Sequence, residues 1–260
     1  MTSDVLIEAR GVSKIYQSKD GPIESLKPLD FSIRAGEFVS VVGPSGCGKS
    51  TLLKMVAGLL PISGGTLSLA GHPIIGPQKD VGIVFQSAVL LAWRSIEENI
   101  LLQAEIRRMP RTAARERSRE LMKMAGLTGF ENKYPWQLSG GMQQRASICR
   151  ALLHDPSVLL MDEPFGALDA MTREKMNLEL QRIWSASRKT VLLITHSIPE
   201  AIFLSDRVIV MSERPGSIAA IYDIDLPRPR PLDVMGTERF AAYARTLRAH
   251  FFAQGHLDAH

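Results

Sequence analysis

The stretch EFVSVVGPSGCGKSTLLKMVAGL, residues 37–59, decides the fold of this 260-residue chain. A short run, apolar but for Ser40, ends at Val42. A glycine-rich loop follows, and after it a helical pattern opens at Lys49. Gly43 to Thr51 satisfy G-x-x-x-x-G-K-[ST] in full, in the strand-to-helix setting that gives the motif its chemistry. Gly43, Gly46 and Gly48, with Pro44, Ser45 and Cys47 between them, let backbone N–H groups converge on phosphate oxygens at a helix N-terminus. Lys49 supplies the cation for the β- and γ-phosphates, Ser50 a hydroxyl for Mg²⁺, and Thr51 closes the motif. A bound nucleotide triphosphate, ATP with Mg²⁺, is the expectation.

Working outward, three more apolar runs end in a polar residue. DVGIVFQ delivers Gln86, SVLLMDE delivers Asp162 and Glu163, and TVLLITH delivers His196. Runs this short and continuous read as strands of a parallel sheet buried on both faces, whose ligands lie beyond the carboxyl ends of the strands. The residues therefore sort into roles. Asp162 and Gln86 suit Mg²⁺, Glu163 suits the base that orients and deprotonates the attacking water, and His196 suits a hydrogen bond to the γ-phosphate. The other histidines have no metal-ligand spacing.

Between the second and third runs lies a helical segment, about residues 95–153, interrupted by Pro110 and Pro135. Within it, LSGGMQQR at 138–145 precedes a helix expected from about Gln143 to Leu153. Ser139, Gly140 and Gly141 thus form a second anion site, and the occupant expected there is ATP bound to a second copy of the chain. DVLIEARGVSKIYQ, LDFSIRAGE and GGTLSLAGHPI alternate like antiparallel strands. SERPGSIAAIYDIDL reads as a hairpin, LPRPRPLD as a linker, and residues 237–253 as a terminal helix.

Composition narrows the class. Apolar residues make up 45% of the chain, enough for a sizeable core, and no run approaches the length needed to span a bilayer. The first residues lack the pattern of an export signal, and Cys47 and Cys149 show no disulfide framework, which together suggest the cytoplasm. The net charge of +4 is concentrated in residues 107–123, where no aromatics interleave the arginines. A solvated helix face, not a nucleic-acid platform, is the expectation.

The loop at 43–51, the strand-end glutamine, LSGG, MDEP, ALD and the strand-end histidine, in this order, resemble the nucleotide-binding subunit of ABC transporters. The resemblance implies an α/β P-loop NTPase of ABC ATPase type, with a RecA-like parallel core, an antiparallel β subdomain and a helical insert. It implies an ATPase domain over residues 5–227 and a C-terminal linker and helix over 228–260. It further implies a head-to-tail dimer with ATP between the P-loop of one copy and the LSGG of the other. A membrane permease subunit, an extracytoplasmic solute-binding protein and a peripheral place on the cytoplasmic face of the inner membrane complete the picture. Tyr16 falls where the family stacks an aromatic on adenine, although a plain strand residue fits there too. Met142 departs from the family's glutamine.

QSAVLLAWRSIEENI and SERPGSI are similar to importer ATPases for nitrate, sulfonates and taurine, with Ala92 in place of their usual proline. Val89, Leu90, Leu91 and Trp93 would line the groove for a permease helix, or would pack the insert. A kinase or GTPase would share the loop at 43–51, but NKYP at 132–135 lacks the Asp of a guanine-reading motif. An ABC ATPase acting on nucleic acid or ribosomes is the alternative function.

Overall fold

A computed structural model describes residues 5–19, 21–166 and 168–252, with Phe251 and Phe252 described by their backbone alone. Ala167 of the ALD motif and the end of the expected terminal helix and domain, 253–260, lie outside the described residues. The chain divides into two compact units: the described residues up to Lys79 joined by those from Lys189 on, and Asp80–Arg188.

In the first unit, β1 (Val5–Ser18) and β2 (Gly21–Arg34) form a long antiparallel pair, extended by β4 (Gly64–Leu69) and β5 (His72–Pro73) in the order β2-β1-β4-β5. Alternating burial along β1 and β2 matches the alternating sequence, with Ile7, Ala9, Val12, Leu29, Phe31 and Ile33 turned inward. A second sheet places β3 (Phe38–Val42) between β8 (Thr190–Ile194) and β9 (Arg207–Met211), all parallel. All five residues of β3 and of β8 are buried, as continuous apolar runs require. β10 (Ile218–Asp223) returns antiparallel along β9, closed by Ser212 N–H donating to the Ser217 carbonyl at 2.8 Å, so the expected hairpin forms. Among the described residues, three α-helices and a 3-10 helix at Leu232–Gly236 complete the unit: α1 (Lys49–Val56), α6 (Ile198–Leu204) and α7 (Glu238–Phe252).

The stretch read as a linker instead folds against α6. Arg230 is 1% exposed and donates to carbonyls of both α6 and the chain after β10, which a loose connector would not do.

In the second unit, β6 (Val81–Val84) lies parallel to β7 (Val158–Asp162). The helical segment between them holds α2 (Ile96–Arg107), α3 (Arg111–Met124), a single 3-10 turn at Pro135–Gln137 and α4 (Gly140–Leu152), and α5 (Ala170–Ser187) follows β7. Local chemistry sets the boundaries. Ser95 caps α2 in a reciprocal pair with Glu98, and Pro110 stands just before α3. α4 begins at Gly140, three residues before the helix expected from sequence, because the Ser139 hydroxyl accepts from Met142 N–H at 3.4 Å and draws both glycines into the first turn.

Candidate functional site

In the first unit, the register pairs Val41 with Ile194, so Gly43 and His196 leave the parallel sheet at the same level, each two residues beyond a paired position. Backbone N–H groups at the start of α1 have no side-chain cap, and its first turn holds no acid. That leaves the positive end of the helix dipole available to an anion. Gly46 (φ 76°) and Gly48 (φ 105°) adopt left-handed conformations that bend the loop around this end. Lys49, 6% exposed, donates to the carbonyls of Gly43 and Pro44 at 2.8 Å each, which holds its ammonium over the loop. Burial pushes the Cys47 thiol up, with Lys49 opposing, so Cys47 remains a buried neutral filler of the loop.

Leu26 and Gly216, which the sequence reading passed over, shape this loop. A Cβ on Gly48 would stand 2.5 Å from the Leu26 side chain, and one on Gly216 would stand 2.0 Å from the Cys47 carbonyl. Gly216 is further tied to β2 by N–H donation to Ser25 and acceptance from Lys27. The only sequence signal was the RPGS turn, whose glycine reads equally well as a plain turn residue.

Tyr16 is 37% exposed, its hydroxyl lies 3.3 Å from the Thr51 hydroxyl, and the Lys14 ammonium sits 5.2 Å from its ring centre. A half-exposed ring beside the last residue of the P-loop is sterically open to a flat base. His196 is exposed, between the buried Thr195 and the helix-capping Ser197.

In the second unit the pairing of Val84 with Met161 places Gln86 and Glu163 at one level, again two residues beyond a paired position. Gly166 lies by both: a Cβ there would stand 3.4 Å from the Gln86 amide nitrogen and 3.6 Å from a Glu163 carboxylate oxygen. Glu163 itself has φ 47°, a left-handed conformation that costs a non-glycine residue about 1–3 kcal/mol and is characteristic of functional sites. Asp162 ends β7 half-buried. Asp169 caps α5 by accepting from Thr172 N–H at 3.0 Å, and these hydrogen bonds hold its carboxyl below the usual range.

The LSGG segment belongs to this unit. Gly141 is buried where a Cβ would meet Thr172 at 3.5 Å, whereas Ser139 and Gly140 are exposed at the tip of α4. α4 then supports the loop after Gln86 directly. Gln144 donates to the Phe85 carbonyl at 2.9 Å, and Arg150 to those of Ala88 and Val89 at 2.8 and 2.7 Å. Beside that loop lies a groove of about 360 Å³ lined in part by Phe85, Val89, Leu91, Arg107 and His154. Trp93 is 74% exposed and Val89 55% exposed, so neither packs the insert.

Residues 26–166 match the family model described as ABC transporter. The chain is 45% identical over 226 residues to an uncharacterized ABC transporter ATP-binding protein of Methanocaldococcus jannaschii, covering 87% of this chain and 85% of the relative. It is 43% identical over 219 residues to an aliphatic sulfonates import ATP-binding protein of Bacillus cereus, covering 84% and 86%. Among solved structures, a bacterial ABC transporter cassette in dimeric form superposes with TM-score 0.74 at 33% identity, covering 85% of this chain and all of that one (100%). A post-hydrolysis state bound to ADP and Pi gives TM-score 0.73 at 32% identity, with the same coverage of 85% and 100%. A cassette from Clostridium perfringens, part of an ABC transporter complex, gives TM-score 0.78 at 25% identity over 98% of both chains.

The chain belongs to the ABC transporter ATP-binding family, with the P-loop NTPase fold of that family. It is the ATP-hydrolysing subunit type, an ABC ATPase.

Proposed function

We propose that this chain powers an importer for a small anionic organic solute of the sulfonate kind, hydrolysing ATP in a head-to-tail dimer docked on a membrane permease. The observation that carries the importer reading is the groove lined in part by Val89 and Leu91, together with the 74% exposure of Trp93, two residues on from Leu91 in the chain. An exposed aromatic side chain near exposed aliphatic ones is what a docked helix buries. The 43% identity to the Bacillus cereus sulfonate import protein supports the solute class. A peripheral position on the cytoplasmic face of the membrane follows from this reading, and among the described residues no helix is long and apolar enough to cross a membrane.

For the chemistry, the loop 43–51 grips the phosphates, with Lys49 offsetting their charge, and Tyr16 stacks on adenine. Mg²⁺ fits the donor set, because the Ser50 hydroxyl, Gln86 amide and Asp162 carboxylate are all hard oxygen ligands. The nucleotide phosphates would supply further oxygen ligands to the ion. The ion neutralises charge on the phosphate oxygens when bound. Glu163 takes the proton of the water that attacks the γ-phosphorus, His196 hydrogen-bonds the γ-phosphate, and the bond to the β-phosphate oxygen breaks to release ADP. Ser139 and Gly140 at the tip of α4 hold the γ-phosphate of ATP bound to the second copy. The domain assignment follows the same logic: an ATPase domain over 5–227, its helical insert over about 95–153, and a C-terminal extension from 228.

The test is purification of the tagged full chain from gently solubilised membranes, with mass spectrometry of what accompanies it. A multi-span permease, alone or with an extracytoplasmic solute-binding protein, is the expected companion. Recovery of ribosomal or nucleic-acid-binding proteins alone would leave the ATPase and remove the importer.

A further inference from the structure

The C-terminal stretch LPRPRPLD, residues 226–233, carries two arginines that clamp the free end of α6. Arg230, 1% exposed, donates through one terminal nitrogen to the carbonyls of Ile202 (2.7 Å), Phe203 (3.0 Å) and Ser205 (2.8 Å). Its other nitrogens donate to Ile224 and Leu226 carbonyls. Arg228 donates to the Leu204 carbonyl and, at 2.9 Å, to the Asp206 carboxylate, which itself accepts from Phe38 N–H at 2.9 Å at the start of β3. The last carbonyls of a helix need partners, and a short buried helix cannot find them in water. Here a guanidinium does it, although burial, reinforced by the Arg228 charge, pulls its pKa down to about 10. Taking a cation out of water is a costly way to cap a helix, for which a glycine ordinarily suffices.

The other end of α6 explains the expense. Its buried Glu200, 3% exposed, shares a short hydrogen bond with the Thr195 hydroxyl, and that hydroxyl accepts from Ser197 N–H at 3.0 Å. Ser197 in turn caps α6 by accepting from Glu200 N–H. His196 therefore hangs between two residues that are both anchored on α6, and α6 itself has Ala201, Ile202, Phe203 and Leu204 fully buried at 0% exposure. Close packing leaves such a helix little room to shift without carrying its ends along.

We propose that Arg230 is a positioning residue for ATP hydrolysis: it fixes α6, and through Glu200 and Thr195 it fixes the backbone that aims His196. This rests on the assignment of His196 to the γ-phosphate made above. The C-terminal segment is then a working part of the ATPase and not an appendage to it.

The experiment measures steady-state ATP hydrolysis by the full chain, with thermal melts to confirm folding. The variants are Arg230→Met, Arg230→Lys, His196→Ala and the double variants. Misplacing a reacting group costs rate more than binding, so kcat should fall about tenfold or more in Arg230→Met while KM for ATP stays within about threefold. Arg230→Lys, which keeps the cation but loses the fork, should recover part of kcat. In the His196→Ala background the Arg230 change should add less than about twofold, since both act through one side chain. Effects that multiply in the double variant overturn the inference, as does a folded Arg230→Met with unchanged kcat. Should Arg230→Met fail to fold, Arg230→Lys and Glu200→Gln carry the same comparison. A His196→Ala chain with full kcat would sink the histidine assignment itself, which separates that failure from the failure of Arg230.

Discussion

At the scale of single residues, Glu163 combines a carboxylate at a strand end with a left-handed backbone, at φ 47°. The strain is retained because the turn aims the carboxylate toward the same space as Gln86, around Gly166. Glu163→Gln keeps the shape and removes the base, so ATP turnover should fall about 10²- to 10⁴-fold with ATP affinity preserved, read by phosphate release and by nucleotide titration. Gly216 makes a different kind of demand, since its Cβ would stand 2.0 Å from the Cys47 carbonyl. Gly216→Ala should cost about 1–3 kcal/mol in chemical denaturation and weaken ATP binding as the P-loop shifts, measured by calorimetric titration. Glu163 was legible from its place after a buried run. Gly216 was not, because its constraint comes from a segment far away in sequence.

At the scale of elements, α4 links two motifs. Its tip carries the Ser-Gly-Gly, with Ser139 and Gly140 exposed, and farther along Gln144 and Arg150 hold the chain on either side of Gln86. The loop's apolar residues are thereby kept out of the core, and Trp93→Ala should abolish permease association in co-purification while ATP hydrolysis by the isolated chain stays near wild type. The helix also buries Cys149, whose thiol burial raises from 9.0 to about 12. The folded state thus favours the protonated thiol. Its contribution to stability is full below the ordinary thiol range and is lost as pH rises from about 9 to about 12, because the unfolded chain ionises first. Denaturant melts between those pH values should show the decline, and Cys149→Ala should flatten it. Sequence spacing predicted this helix but started it three residues late. The capping geometry of Ser139 was the missing information: two glycines discourage a helix on propensity alone, and only the cap recruits them into it.

At the scale of the whole molecule, the proposed role of Ser139 and Gly140 as half of an intermolecular site makes a prediction. In the Glu163→Gln chain, ATP should convert monomer to dimer, as light scattering on a sizing column would record. Adding Ser139→Arg should block that conversion while ATP binding by the monomer persists, since the loss of the α4 cap costs only about 1 kcal/mol. A dimer that forms regardless would place the contact elsewhere. At this scale too, the C-terminal stretch changes its meaning, from a proline-rich connection to a clamp on α6 through Arg228 and Arg230.

By itself the sequence determined the glycine-rich loop before α1, the buried parallel strands, the acids and amide at their ends and the family. Each of these is encoded in contiguous residues whose local physics admits few alternatives: a glycine-rich turn before a helix, an apolar run too short for anything but a strand. Only the tertiary structure decided that Gln86 and Glu163 emerge at one level, that Gly216 must lack a side chain, that Trp93 stands in solvent, and that a buried arginine near the C-terminus holds the helix behind His196. Those facts depend on register and on which segments touch across long sequence separations. Neither is written in the local pattern, because the same arginine between prolines serves equally well in a solvated linker until a helix end with unsatisfied carbonyls is folded against it.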